Sequence, residues 1–146
     1  MHFSKKLKVL FLSLILIFFN IQNLKALENK ILFKINNEII TTIDIYEEIK
    51  FLKAFNSEMI NLNESELFET SKNSILKDKI KKIEIMKFVN ELKVDDKYLI
   101  SLIKNKYSKI GINSMENFEG YLEKNNLNIQ TIKEKFYIQL IWNDLI

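Results

Sequence analysis

The chain has 146 residues and a formal charge of +3, set by 22 basic residues, all Lys, against 19 Asp and Glu; on length it makes about one domain. It contains two Gly, one His (His2), no Pro and no Cys. That excludes disulfides, Cys/His zinc sites and nucleophiles activated by His, along with Gly-rich phosphate loops and sandwiches of many short strands joined by Gly/Pro turns. Lys stands in place of every Arg, and Ile and Asn abound, as in an A/T-biased coding sequence, so a lone Lys or Asn carries little argument.

At the N-terminus, Lys5, Lys6 and Lys8 precede an uncharged run from Val9 to Phe19, then polar Asn20 to Lys25, then Ala26. Basic start, short apolar stretch and small residue form the layout of a secretory signal peptide over residues 1–26. Ala26 suits the position before the cut, although Leu24 stands where a small residue is preferred. The run is shorter than the roughly 20 residues of a spanning helix, so a cleaved leader is expected over an uncleaved anchor or a buried core helix. Cleavage after Ala26 leaves Leu27 to Ile146 with 18 Lys against 19 acids, a charge of −1. No stable membrane span is expected after cleavage. A basic footprint for nucleic acid goes with the leader, and no nucleic-acid partner is expected.

Lys30 to Thr42 reads as a small hairpin: Ile31, Phe33 and Ile35 alternate, Asn36-Asn37 tolerates left-handed backbone, and Ile39 and Ile40 follow. Two strands alone are marginal in water, so they must pack on helices. Thr41 and Asp44 fit a capping box ahead of Ile45, Ile49, Leu52 and Phe55, a helix of about three turns. The polar stretch Asn56 to Asn63 leads to a long second helix with Leu76, Ile80, Ile83 and Met86 along one stripe, widened by Ile75, Phe88, Val89 and Leu92.

Asp95 or Asp96 can cap a third helix with Tyr98, Leu99, Leu102, Ile103, Tyr107 and Ile110 apolar, stopped by Gly111. Asn113 or Ser114 starts a fourth, carrying Met115, Phe118, Tyr121 and Leu122, and Asn125-Asn126 breaks it. A fifth runs from about Ile129 through Ile132, Phe136, Tyr137, Leu140, Ile141 and Leu145. The expected fold is mainly α, a small N-terminal β-hairpin packed on about five helices, with residues 27–146 as one domain.

Eight of the eleven residues from Phe136 to Ile146 are apolar. A helix apolar on nearly all sides is normally buried. It either inserts into the middle of the domain or meets something outside this chain: a further C-terminal segment, a second protomer or a bound polypeptide.

Asp44, Glu47 and Glu48 share a helix face and could ligate a hard cation, but acids in a first turn ordinarily complement the helix dipole, as do Asp95 and Asp96. No metal, cofactor or catalytic residue is expected, and the Lys-rich stretch from Lys77 to Lys82 reads as solvated surface. Phe118, Tyr121, Phe136, Tyr137 and Trp142 fall at helical spacings, where core packing is the ordinary use. Their number exceeds what one small core needs, so these five are the candidate contacts for apolar polypeptide.

Three segments carry a family likeness. Residues 31–45 (ILFKINNEIITTIDI), 74–96 (SILKDKIKKIEIMKFVNELKVDD) and 115–136 (MENFEGYLEKNNLNIQTIKEKF) resemble, in that order behind a signal peptide, the N-terminal module of the SurA-type periplasmic chaperones. The resemblance spans essentially all of residues 29–146 and is one of periodicity and caps. It implies a mostly helical, ATP-independent holdase that keeps unfolded outer-membrane polypeptides soluble in the periplasm. Such proteins usually continue into parvulin-type prolyl isomerase domains and a C-terminal segment that packs back on the N-terminal module. This sequence stops before any parvulin segment and lacks the His residues of parvulin sites, so isomerase activity is not expected of these 146 residues. A truncated or minimal member is the expectation. The alternatives are a fragment of a prolyl isomerase whose catalytic domain is absent, and a helical assembly protein dimerising through its final helix.

Overall fold

A computed structural model describes residues 28–145. The expected signal peptide and its cleavage point lie outside the described residues. Strands β1 (Ile31–Ile35) and β2 (Glu38–Thr41) form an antiparallel hairpin with Ile35 opposite Glu38. Its tip turns because Asn36 takes a left-handed backbone, φ 52°, which Asn tolerates better than most residues. Successive side chains of β2 alternate: Ile39 is exposed and Ile40 fully buried. A bulge between Ile31 and Phe33 breaks the simple alternation expected of β1 and leaves Ile31 exposed.

Helix α1 (Thr42–Phe55) starts on the expected capping box. The Asp44 N–H donates to Thr41 Oγ1 at 3.3 Å while the Thr41 N–H donates to Asp44 Oδ2 at 2.7 Å. At 14 residues it is nearer four turns than three. Asn56 ends it and caps a 3₁₀ turn, Ser57–Asn61, inside the expected connector. Helix α2 (Glu64–Ile85) then begins on a second capping box, Asn63 with Glu66.

Two expectations for α2 are corrected. It stops at Ile85, so Phe88, Val89 and Leu92 lie beyond the helix. Phe88 is 73 % exposed; with no face among the described residues burying it, local propensity does not carry the helix further. Its buried line is also displaced from the expected stripe, running through Leu67, Ser71 and Ile75, while Ile80 and Met86 are exposed. The face turned to α1 and to the last helix carries Asp78 and Lys82, which are ion-paired there.

Asp95 caps α3 (Asp96–Tyr107), its Oδ1 accepting from the Lys97 N–H at 2.8 Å. Leu99, Ile103 and Tyr107, four apart, form its buried line, and Tyr98 and Ile110, expected on the apolar face, are exposed. A 3₁₀ turn, Ser108–Ile110, ends at Gly111 with φ 85°, the left-handed stop expected there. Ser114 caps α4 (Met115–Lys124), Asn126 at φ 53° makes the break, and Asn128 Oδ1 accepts the Thr131 N–H at 3.0 Å at the start of α5 (Ile129–Leu145). The described residues thus form a mainly helical fold, a two-stranded hairpin with five α-helices.

Helix α5 packs against α2, α3 and α4. This central place accounts for its apolar sequence: Ile132, Phe136 and Ile138 are buried, Leu140, Ile141 and Trp142 partly so, and Leu145 is exposed at the end. The larger core joins α3, α4 and α5 with Phe51, Ala54 and Phe55 of α1. A smaller one holds Ile40, Ile45 and Ile75 under the hairpin. No described helix is long and apolar enough to cross a membrane.

Candidate binding cleft

Four helices converge on a cleft of about 450 Å³, within the usual range of roughly 300–1,000 Å³ for ligand sites. Helix α1 contributes Phe51 and Phe55, α2 Ser74, Asp78 and Lys81, α3 Lys106 and Tyr107, and α5 Lys135, Phe136 and Gln139. The spacings explain how. Phe51/Phe55, Ser74/Asp78 and Lys135/Gln139 are each four apart, so each helix presents one ridge to the opening.

Its base is aromatic. The Phe55 ring lies 4.6 Å from Tyr107, 5.0 Å from Phe51 and 6.5 Å from Phe136, between centroids. These tilted and edge-on arrangements are ones in which aromatic pairs attract beyond their simple burial. Burial pushes the Tyr107 phenol up to about 12, so it is neutral over the physiological range.

One wall is a buried charge cluster. Lys135 Nζ lies 2.8 Å from Glu48 Oε2 and 2.5 Å from Asp78 Oδ2, and Ser74 Oγ donates to Glu48 Oε1 at 2.7 Å. The Glu48 and Lys135 side chains are only 5 % and 16 % exposed. Burial is the largest single influence on Lys135 and opposes its charge, but the two carboxylates together outweigh it and hold its pKa above the usual lysine value. The cluster ties α1, α2 and α5 together. It also commits Glu48 to Lys135, which removes one member of the Asp44/Glu47/Glu48 face from cation binding.

The rim differs. Lys106 Nζ donates to Gln139 Oε1 at 3.3 Å and sits 5.6 Å from the Tyr107 ring centroid, while Lys81 Nζ sits 5.7 Å from the Trp142 ring. Among the described residues no carboxylate lies within 4.0 Å of either ammonium. Lys106 is exposed as a residue, yet desolvation of its ammonium pulls its pKa below the usual lysine value; Asp78 opposes this and Lys81 adds to it.

Beyond Lys135 a smaller hollow of about 220 Å³ lies between Asp44, Glu47, Lys79, Lys82 and Glu134. There Lys79 bonds Glu38 at 2.5 Å and Lys82 bonds Glu134 at 2.7 Å.

The five aromatics singled out in the sequence do not form one surface. Phe118 is fully buried, its ring 5.6 Å from Phe136. Phe136 is 2 % exposed and meets the cleft from beneath. Tyr121 is half-buried and its hydroxyl donates to the Ala54 carbonyl. Tyr137 packs on the larger core, and Trp142 lies under Lys81. Sequence reasoning missed Phe51, Phe55, Tyr107, Lys81, Lys106 and Lys135 as neighbours. The four-residue step from Phe51 to Phe55 was a usable signal, but nothing local marks Lys135, whose partners stand 57 and 87 positions away.

Chemically the cleft can hold an apolar side chain against its rings and an anionic group at Lys81 and Lys106. A scan against protein-family models, a search of curated proteins and a search of solved structures each returned no match to this chain.

Proposed function

We propose that this protein is an ATP-independent holdase that binds unfolded outer-membrane polypeptides in the periplasm. The observation that carries the reading is the cleft of about 450 Å³ among α1, α2, α3 and α5, aromatic at its base and rimmed by lysines. An extended polypeptide could place a side chain on the Phe55 and Tyr107 rings while its backbone runs past Lys106 and Gln139. The leader-like N-terminus and the SurA-type pattern of residues 29–146 support the same reading. The test is light scattering from an outer-membrane β-barrel protein diluted out of urea, with and without an equimolar amount of the chain lacking residues 1–26. Scattering is expected to fall to a small fraction of the unprotected level, and an undiminished signal overturns the proposal.

A further inference from the structure

The rim of the cleft carries a charge pattern that aromatic packing alone does not call for. Lys50, Lys72, Lys79, Lys82, Lys133 and Lys135 each have a carboxylate within 4.0 Å. Among the described residues Lys81 and Lys106, like Lys77 and Lys104 on the same two helices, have none; what sets these two apart is that they line the opening. Of the three lysines lining it, Lys135 is already held by two acids, Asp78 and Glu48, which leaves Lys81 and Lys106 without a bonded acid of their own. The opening therefore carries a small excess of positive charge beside the half-buried Phe55 ring and the buried Tyr107 ring that floor it. A partly desolvated ammonium without a counter-ion gains most when a ligand supplies the anion.

We infer that the cleft selects polypeptide segments in which an aromatic or aliphatic side chain is flanked by Asp or Glu, the apolar group seated on Phe55 and Tyr107 and the acid held by Lys81 and Lys106. This rests on the holdase reading for the polypeptide nature of the ligand. A purely apolar occupant would leave both ammonium groups without a carboxylate, Lys106 keeping only its long bond to Gln139, and would dehydrate Lys106 further. An acidic neighbour converts that cost into a charge-assisted contact.

The experiment uses fluorescence anisotropy with three short fluorescein-labelled peptides: one with Phe-Glu-Phe at its centre, its twin with Phe-Gln-Phe, and a twin with Ala-Glu-Ala. The first is expected to bind roughly fivefold more tightly than either twin, as a partly shielded charged hydrogen bond warrants. Lys81→Gln and Lys106→Gln should each remove most of the advantage over the Gln twin, and both substitutions lie on accessible side chains whose loss leaves the helical circular dichroism unchanged. Added salt should erode the same advantage. Equal affinity for the Glu and Gln peptides, with scattering still suppressed, overturns the inference and leaves the holdase reading standing. No binding of any peptide together with no suppression overturns both. Displacement of the Glu peptide by an equimolar free fatty acid assigns the rim to a lipid carboxylate and also overturns the inference.

Discussion

At the α3–α4–α5 end of the domain, nine side chains from Leu99 to Phe136 are buried together, with the rings of Phe51 and Phe55 laid against them. Under the hairpin, among the described residues, Ile40, Ile45 and Ile75 are, with half-buried Phe33, Ile49 and Phe68 against them, and polar links add to the joining: Glu38 to Lys79, Lys82 to Glu134, and the Thr41 capping box. Apolar burial is proportional to area and nearly indifferent to pH, whereas exposed ion pairs are weak and screened. The aromatic end is expected to set the stability of the whole, and the hairpin end its sensitivity to acid. The cleft lies where the two meet, and Lys135 belongs to both.

The largest effect is expected from Phe136→Ala, which removes the ring that Phe51, Phe55, Tyr107 and Phe118 all contact. A loss of about 3–5 kcal/mol in urea unfolding is expected for a ring this deeply buried. Ile75→Val under the hairpin should cost only about 1 kcal/mol. Equal costs at the two sites would break the comparison.

Next stands Lys135→Met. It leaves Glu48, 5 % exposed, facing Asp78 without their shared cation, and a cost of about 3 kcal/mol follows for a buried pair broken from one side. Adding Glu48→Gln to that variant should return a large part of the loss. A double-mutant cycle over the two positions measures the coupling, and a coupling near zero would mean that α1 and α5 are not joined through this cluster.

Smaller still is the acid response of the hairpin. The Lys79 hydrogen bond, opposed by burial and aided by the charges of Lys79 and Lys82, holds Glu38 below its usual 4.5. Folding thus favours the ionised form, so this stabilisation is whole above pH 4.5 and disappears as the pH falls through the lowered value. Hydrogen exchange of the β2 amides should quicken below that point by the equivalent of about 0.5–1 kcal/mol, the range of partly exposed pairs, while α3 and α4 amides do not respond. In Glu38→Gln the step should be absent. On the alkaline side the sign reverses: Glu134 bonding raises Lys82 above 10.5, and its contribution is lost only as the pH climbs through that raised value.

What could be read from the sequence divides along the same physical line. Caps and stops are decided within four residues, and Thr41 with Asp44, Asp95, Gly111, Ser114 and Asn126 all do what their side chains and backbone freedom suggest. Fold class follows from these, since once the breaks are placed the apolar spacings between them fit only helices. Which side of each helix is covered is decided by distant neighbours. Tyr98 and Phe88 look as apolar as Leu99 and Ile85, yet the described residues leave them largely uncovered. The cleft was illegible for the same reason: Phe55, Asp78, Lys106 and Lys135 come from four helices, and no local pattern records their meeting.

The smallest expected effect has the opposite sign. Ser71 is fully buried on α2, in line with Leu67 and Ile75 at four-residue steps, and its Oγ has no hydrogen-bond partner among the described residues. A hydroxyl buried without a partner costs its desolvation, and Ser is also a poorer helix former than Ala. Ser71→Ala should therefore raise stability, by about 1 kcal/mol, visible as a higher urea midpoint at unchanged slope. A midpoint that is unchanged or lowered overturns this assignment of cost to the hydroxyl. The outcome bears on the hairpin side of the comparison. Among the described residues the set beneath the strands is three buried residues, with Phe33, Ile49, Phe68 and Leu76 among those packed on it, small enough for the cost of one unpaired hydroxyl to register. A gain on its removal would show that this end owes its marginal packing to its own buried polarity as well as to its small size.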